Sequence, residues 1–492
     1  MRGYRDLLVA LACVTALGVA GFAWAFSSPI GSSPDDDFHQ SSIWCPHPLE
    51  ESGCRVQYDD EGAIIGAYVP EIVRDASECF AAQPDQSAAC VDDLGVTLVP
   101  SDRIDQGRYP GGYYEAMNVF VGEDPIRSIL VMRLVNVAIA MLLFSAVGAV
   151  MPRPGRRMMT LALLGMAVPL TAFLLGSVNP SSWAIVGVVT AWLSGYALAT
   201  STTAGRRLVA GTLVLVGAAM AAASRTDAAA YVGVVLLALL VLTWRQLPRR
   251  MRLVIIPVLA LASAVGVASF LLANQKSALT TGFGEDSGRN PVDVLFYNVT
   301  ELPDILVGFS GAGVFSGLGW LDTAMPAITH VSVTAVVAGL VAIGVRVMWP
   351  EKLLSLAVVV SALVALPLLV LQRSNALVGE SVQPRYLLPL MIVALATALA
   401  GRPNEESPGL TSTQTIVVYT LLVLANSFGL HANIRRYVTG QDVRAFNLGQ
   451  GAEWWWSFGP SPMEVWAIGS FAFAVGALLL FRVRESRPPG MR

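Results

Sequence analysis

Long apolar runs recur along the chain, separated by shorter polar segments. The first covers Leu7 to Ala25, and eleven more lie near residues 129–151, 158–177, 181–200, 208–224, 228–244, 253–273, 327–349, 353–371, 386–401, 412–429 and 463–482. A helix needs about 20 apolar residues to cross the hydrocarbon core of a bilayer. The pattern therefore predicts an all-α polytopic membrane protein with about twelve transmembrane helices. A composition of 54% hydrophobic and 14% charged residues excludes a soluble globular protein.

Basic residues predict the orientation of these helices. Arg2 and Arg5 precede the first run, which places the N-terminus in the cytoplasm. With that start, every short loop predicted to be cytoplasmic carries Arg or Lys, and so does the C-terminal tail: Arg153, Arg156, Arg157, Arg206, Arg207, Arg245, Arg249, Arg250, Arg252, Arg346, Lys352, Arg402, Arg482, Arg484 and Arg487. Both termini are thus predicted to be cytoplasmic. Signal-peptidase cleavage near Ala23-Trp24-Ala25 is the alternative for the first run.

The segment between the first two runs is polar and acidic. It holds nineteen Asp or Glu and five Arg between Phe26 and Ser128, although the whole chain has a net charge of only −3. This distribution argues against a nucleic-acid partner. Four cysteines lie here without C-x-x-C spacing, which favours disulfides over a zinc site and predicts an oxidising, extracytoplasmic location: Cys45, Cys54, Cys79 and Cys90. Of the three pairings, the local one (Cys45–Cys54 with Cys79–Cys90) closes the smallest loops.

The polar segments divide the chain into five regions. These are a first transmembrane helix (1–26), an extracytoplasmic loop domain (27–128), helices 2–7 (129–273), an outer loop (274–326), and helices 8–12 with a cytoplasmic tail (327–492). In the outer loop, residues 303–318 are amphipathic but short and glycine-rich, which favours a re-entrant or interfacial helix over a full span.

Candidate chemistry begins just after the first run, in Ser33-Pro34-Asp35-Asp36-Asp37-Phe38-His39. A carboxylate here, Asp35 or Asp36, could be a general base or could hold a divalent cation such as Mg²⁺ or Mn²⁺, with His39 and Asp37 in support. In an extended backbone Asp35 and Asp37 would point one way and Asp36 the other. Mutual repulsion of three carboxylates predicts at least one raised pKa unless a cation or an arginine compensates. The alternative is a solvated acidic turn after Pro34.

Charges on the predicted outer side form a second candidate set. Lys and Arg are normally concentrated in cytoplasmic loops, so arginines on the outer side need another explanation. Guanidinium groups are natural partners of a lipid phosphate. The alternatives are pairing with the acidic loop domain and contact with lipid head groups. The residues are Arg225 and Asp227 in one short turn, Arg373 and Arg385 at two helix ends, Arg435 and Arg436 after the eleventh run, and Arg133 inside the second run.

Four segments resemble motifs of a bacterial family of predicted membrane proteins of unknown function, which is grouped with the GT-C membrane glycosyltransferases. Residues 34–39 resemble its P-D-E-x-x-H, with Asp36 in place of Glu, and residues 109–114 (YPGGYY) its P-P-x-x-Y. Residues 319–326 (GWLDTAMP) match G-W-L-D-T-x-x-P, and residues 383–389 resemble Q-G-R-Y-x-x-P, with Pro384 in place of Gly. Asn179-Pro180-Ser181-Ser182 lies where a more acidic segment is expected.

The resemblance implies a GT-C-like fold, polyprenyl-phosphate sugars as donors and a catalytic acid at Asp35 or Asp36. Substrate-binding candidates combine the motif residues with the outer charges: Tyr113, Arg225, Asp227, Asp322, Arg385, Tyr386, Arg435 and Arg436. The predicted function is sugar transfer to a cell-envelope glycan, lipid or protein on the outer face of a bacterial plasma membrane. Alternatives are a transporter or flippase of lipid-linked glycans and a non-catalytic assembly protein. Transporters place charge in the middle of broken spans, whereas here charges collect at helix ends.

Overall fold

A computed structural model of the chain describes residues 2–272, 288–312, 317–402 and 405–485. This part of the chain is mostly helical. Its α-helices are α1 (Arg2–Phe26), α2 (Asp36–Trp44), α3 (Glu71–Asp75), α4 (Gly112–Asn118), α5 (Pro125–Val150), α6 (Arg153–Gly165), α7 (Pro169–Leu175), α8 (Pro180–Thr200), α9 (Ala204–Ser224), α10 (Thr226–Thr243), α11 (Arg249–Leu272), α12 (Pro291–Val307), α13 (Ala327–Val345), α14 (Pro350–Arg373), α15 (Pro384–Leu399), α16 (Ser412–Val438) and α17 (Pro462–Glu485).

All twelve predicted spans coincide with helical segments, but fewer than twelve meet the requirements of a full span. In the described residues ten helices are long and apolar enough to cross a membrane, or eleven if the bent pair α6 and α7 counts as one. These two helices meet at 90°, and α7 begins at Pro169, which has no amide hydrogen to continue the helix before it. The predicted tenth span is α15, which has only 16 residues.

The most deeply buried helix is α8, which packs along α9 at close range. A Cβ added at Gly187 of α8 would lie 2.6 Å from the carbonyl oxygen of Gly217 on α9. The reverse substitution at Gly217 would place a Cβ 2.7 Å from the Gly187 carbonyl. Small residues therefore set the distance between these two backbones, as is usual where membrane helices cross closely. The packing fixes the α9–α10 turn, which carries Arg225, against the bundle.

The loop domain between α1 and α5 is not all-α, which corrects the predicted fold class. It contains a three-stranded antiparallel sheet in the order β1 (Val56–Tyr58), β2 (Ile64–Pro70) and β3 (Leu98–Ser101). The strands have only three to seven residues, which is too short to produce the long apolar runs on which the prediction rested. Two disulfides, Cys45–Cys54 and Cys79–Cys90, join the predicted local pairs, and Cys13 is a free, buried cysteine.

In the outer loop the helix lies earlier than predicted. Instead of a helix over residues 303–318, α12 ends at Val307 and a 3-10 turn follows at Gly308–Ser310. Gly311 then takes a positive φ of 83°, which ends the helical path. Of the predicted outer loop, residues 273–287 and 313–316 lie outside the described residues, as does Arg487 of the predicted basic tail.

Candidate functional site

The site is built on the loop between α1 and α2, which is fixed by side chains from distant helices. Arg133 of α5 is 1% exposed and donates hydrogen bonds to the carbonyl oxygens of Ser28 and Pro29, the latter at 2.6 Å. The indole of Trp320 donates to Gly31 at 2.8 Å, and Asn179 donates to Pro34 at 3.0 Å. Buried carbonyl groups need such partners, so the loop has one defined path as it reaches the acidic stretch.

Asp35 directly precedes α2 and has a left-handed backbone, with φ at 60° and ψ at 25°. Its side chain is 41% exposed and accepts a hydrogen bond from Arg385 at 2.8 Å, with Arg103 at 3.7 Å on the other oxygen. Burial raises the pKa of Asp35, but the positive charge and hydrogen bond of Arg385, together with the charge of Arg103, outweigh it and leave the pKa below its usual value. Asp35 is therefore an accessible, ionised carboxylate at neutral pH.

Asp36 is in the opposite environment although it is the next residue. Its side chain is fully buried, one oxygen accepts from the amide of Ser33 at 2.9 Å, and the other has no hydrogen-bond partner in the described residues. Burial raises the pKa of Asp36 to about 7. One raised pKa was predicted for this stretch, but burial and not carboxylate repulsion is its main cause.

Asp37 forms a two-point ion pair with Arg103, with distances of 2.7 and 3.1 Å. Arg103 thus lies against both Asp35 and Asp37, whereas Asp36 turns inward. As predicted, Asp35 and Asp37 lie on one side of the stretch and Asp36 on the other, but the cause is different. The stretch is a left-handed residue followed by the first turn of α2, not an extended strand.

His39 is buried below Asp35 in an aromatic environment. Its Nδ1 forms a 2.8 Å hydrogen bond with the hydroxyl of Tyr114, and the ring of Tyr109 lies edge-on at 5.5 Å. Burial lowers the pKa of His39 to about 3, in spite of the negative charge of Asp35. The imidazole is therefore neutral over the physiological range and positions its neighbours without adding a charge.

Four of the predicted binding residues converge beside Asp35. Arg385, at the start of α15, is 4% exposed and also donates to the hydroxyl of Tyr386 at 3.1 Å. The guanidinium of Arg225 stacks on the ring of Tyr386 at 4.3 Å and forms a two-point ion pair with Asp227 at 2.9 and 3.0 Å. Two nitrogens of Arg385, Nε and Nη1, are buried and have no hydrogen-bond partner in the described part of the chain. We call these residues together with Asp35 the Asp35 cluster.

The other predicted binding residues lie in separate contacts. Arg436 is fully buried, binds Asp322 at 2.8 Å and donates to the carbonyl oxygens of Phe80 and Gln86 in the disulfide-closed segment 79–90. Asp322 also accepts from the amide of Ala82 at 3.1 Å. This group, which we call the Arg436 clamp, holds the loop domain on the end of α16.

Two more of the predicted binding residues form hydrogen bonds with other parts of the chain. Arg435 donates to the carbonyl oxygens of Ala445 and Asn447, at 2.7 and 2.8 Å. The hydroxyl of Tyr113 accepts from Asn136 at 3.1 Å. Neither contact includes a member of the Asp35 cluster.

The predicted Mg²⁺ or Mn²⁺ has no preformed ligand set in the part of the chain that the structure describes. No three His, Cys, Asp or Glu side chains there are grouped so that they could hold a metal ion. Asp35 and Asp37, the two accessible carboxylates, face guanidinium groups, which already compensate their charge.

Sequence reasoning missed Arg103, and it singled out Tyr109 and Tyr114 only as part of the motif at residues 109–114, a segment near the membrane where tyrosines are usually interfacial anchors. Arg103 is one of only five arginines in the acidic segment, and that scarcity is a signal that could have singled it out. The two tyrosines instead pack on His39, with their rings 5.5 and 6.0 Å from the imidazole. No local signal separates such tyrosines from interfacial anchors.

Fold and site together define a multi-pass membrane protein with a charged cluster at the end of its helix bundle, beside a disulfide-bonded loop domain. Residues 19–394, more than half of the chain, match the family described as "Predicted membrane protein (DUF2142)". The chain therefore belongs to this family of predicted membrane proteins of unknown function. No curated protein sequence matches it.

The Arg436 clamp is expected to be essential for stability. Replacing Arg436 with Met leaves Asp322 buried without its ion partner and removes the donor from two carbonyl groups. Loss of one partner of a buried pair costs about 3–5 kcal/mol, so thermal unfolding in detergent should show a large fall in Tm. Arg373→Met is the matched control, because Arg373 is exposed at the end of α14. Equal Tm values for the two variants would contradict this role.

Asp36 is expected to make stability depend on pH. Because its folded pKa lies above the unfolded one, its contribution is complete below about pH 4 and is lost as pH rises through about 7. Asp36→Asn cannot ionise, so its free energy of unfolding should rise relative to wild type between about pH 4 and pH 7, by about 1.4 kcal/mol per unit of pKa shift, and its Tm should rise with it. Asp37→Asn should lack this rise, since Asp37 is paired with Arg103. A pH-independent difference for Asp36→Asn would exclude the buried acid.

Proposed function

We propose that the protein is a membrane glycosyltransferase. It transfers a sugar from a polyprenyl-phosphate donor to a glycan, lipid or protein acceptor of the cell envelope, on the extracytoplasmic face of a bacterial plasma membrane. The observation that carries the proposal is the contact between Asp35 and Arg385. It pairs an accessible carboxylate with a buried guanidinium, two nitrogens of which have no hydrogen-bond partner in the described part of the chain. A base beside a phosphate-binding group is what transfer from a phosphate-linked sugar requires.

Asp35 is the proposed general base. It accepts the proton of the acceptor hydroxyl while the hydroxyl oxygen attacks the anomeric carbon of the donor. The bond between that carbon and the phosphate oxygen breaks, and polyprenyl phosphate leaves with the electron pair. Asp36 suits this role less well, because it is fully buried and burial holds its pKa at about 7. Neutral His39 and ion-paired Asp37 support the geometry around Asp35.

The leaving phosphate is the proposed partner of the arginines. In Arg385, Nε and Nη1 have no hydrogen-bond partner among the described residues, and each can donate a charge-assisted hydrogen bond to a phosphate oxygen. Tyr386 holds this group through its hydroxyl and presents its ring to Arg225. Arg225 is ion-paired with Asp227, so it helps to position the site more than it adds net positive charge to it. Developing negative charge on the phosphate would be stabilised most by Arg385.

Replacing Asp35 with Asn tests the proposal directly. The variant is nearly isosteric and removes the base, whose loss typically costs about 10² to 10⁴ in rate. Turnover is measured with purified protein and radiolabelled polyprenyl-phosphate sugars, and folding is checked by Tm. Asp36→Asn is the matched control and should keep most of the turnover.

Three outcomes would contradict this assignment. Wild-type turnover in both Asn variants and in the double variant would place the chemistry elsewhere. A loss confined to Asp36→Asn would move the base to Asp36. Movement of the labelled lipid across vesicle membranes without sugar transfer would instead support a flippase.

Arg385 is expected to dominate donor affinity. Arg385→Gln removes a charge-assisted contact worth roughly 2 kcal/mol, so donor binding should weaken by about thirtyfold. Arg225→Gln should have a smaller effect, and exposed Arg373→Gln should have none. The Arg385 variant loses the charge and the hydrogen bond that lower the pKa of Asp35, so this pKa rises and the acid limb of kcat/KM moves to higher pH. Unchanged donor affinity in both site variants would mean that these arginines pair only with protein.

A further inference from the structure

A groove lies at the end of α10 that is remote from the Asp35 cluster. Because α10 starts beside Arg225 and has 18 residues, its other end lies about 27 Å away at 1.5 Å per residue. There, a cavity of about 340 Å³ opens between α10 and the start of α14. The groove is independent of the proposed transfer reaction.

The walls of the groove are apolar and partly exposed. Leu240 and Val241 form one side, Leu354 the other, and Trp244, with 42% of its surface exposed, lies at the end. Leu354 itself is 57% exposed. Tryptophan at the end of a membrane helix is typical of the interface between hydrocarbon and head groups. The walls therefore fit an acyl chain whose head group lies beyond Trp244.

Arginines lie in the lining of the groove and at the start of α11, which follows groove residues 240–245 in the chain. Arg245 lies in the lining, Arg252 stacks on Trp244 at 4.3 Å, and Arg249 and Arg250 are exposed at the start of α11. Glu351, which binds Arg245 at 2.6 Å, is the acidic residue of the lining. Four arginines against one glutamate leave an excess of positive charge, and Arg249 and Arg250 form no ion pair among the described residues. Positive charge at this position attracts anionic lipid.

We infer that this groove binds an anionic glycerophospholipid, with one acyl chain along Leu240 and Leu354 and the phosphate at the arginines of residues 245–252. Two features of the groove favour this ligand over a zwitterionic lipid or a soluble anion. The excess of positive charge distinguishes an anionic head group from a zwitterionic one. The apolar cavity distinguishes a lipid from a free phosphate, because a free phosphate has no apolar group to fill the cavity.

Lipid retention on the full-length protein tests the inference. Protein purified in detergent is mixed with phosphatidylglycerol or phosphatidylcholine of equal chain length, and bound lipid is counted by native mass spectrometry. Wild type should retain phosphatidylglycerol about tenfold better or more, since each basic residue contributes about 1 kcal/mol. The double variant Arg249→Gln/Arg250→Gln should lose this preference, and Leu240→Trp, which fills the cavity, should reduce retention of both lipids.

The control is the double variant Arg153→Gln/Arg206→Gln. It removes the same charge from two exposed arginines outside the groove and should bind both lipids as wild type does. Removing Arg249 and Arg250 from the start of α11 is favourable for the helix dipole, and Tm confirms folding. Equal retention of the two lipids by wild type, an equal loss in the control, or no change in any groove variant would each overturn the inference.

Discussion

Arg133 lies inside a membrane-spanning helix and is 1% exposed, so its charge is tolerated only because oxygen atoms surround it. Those oxygens belong to the loop that leaves α1, chiefly the carbonyls of Ser28 and Pro29. The dependence is mutual, because buried carbonyl groups also need donors. The loop therefore ends at one fixed point, where Asp35 begins the acidic stretch. The position of the candidate base depends on a guanidinium that does not touch it.

The helices were predictable because the signal for a membrane span is local: a long apolar run has few alternatives to a helix in a bilayer. Where the structure departs from the predicted helices, the cause is either a single residue within an apolar run or pairing between distant parts of the chain. The 90° bend between α6 and α7 comes at Val168-Pro169, where composition stays apolar and only the imino acid marks the break. The sheet of the loop domain is held by pairing between strands such as Val69 with Val99, and such pairing is not encoded in either strand alone.

The site was predictable in outline and not in detail. Orientation by positive charge predicted Arg225 and Arg385 on the side of Asp35. Arg385 contacts Asp35 although the two are 350 residues apart, and Arg225 joins them through the ring of Tyr386. Sequence could not separate Arg385 from Arg436. Both are buried, but among the described residues Arg385 keeps two nitrogens without a hydrogen-bond partner, whereas Arg436 keeps only Nε and is bound by Asp322 and two carbonyl groups. That difference depends on tertiary neighbours and has no local pattern.

The contact between Asp35 and Arg385 also couples the two halves of the proposed reaction. While it is intact, the positive charge keeps the pKa of Asp35 low in spite of burial, so the carboxylate is ionised but is a weak base. A phosphate that binds Arg385 competes for the same guanidinium and screens its charge. The pKa of Asp35 then rises, because the interaction with Arg385 that lowers it is weakened, and Asp35 becomes a stronger base. Arrival of the donor would thus activate the base, and before the donor binds, Asp35 would remain a poor acceptor for the proton of water.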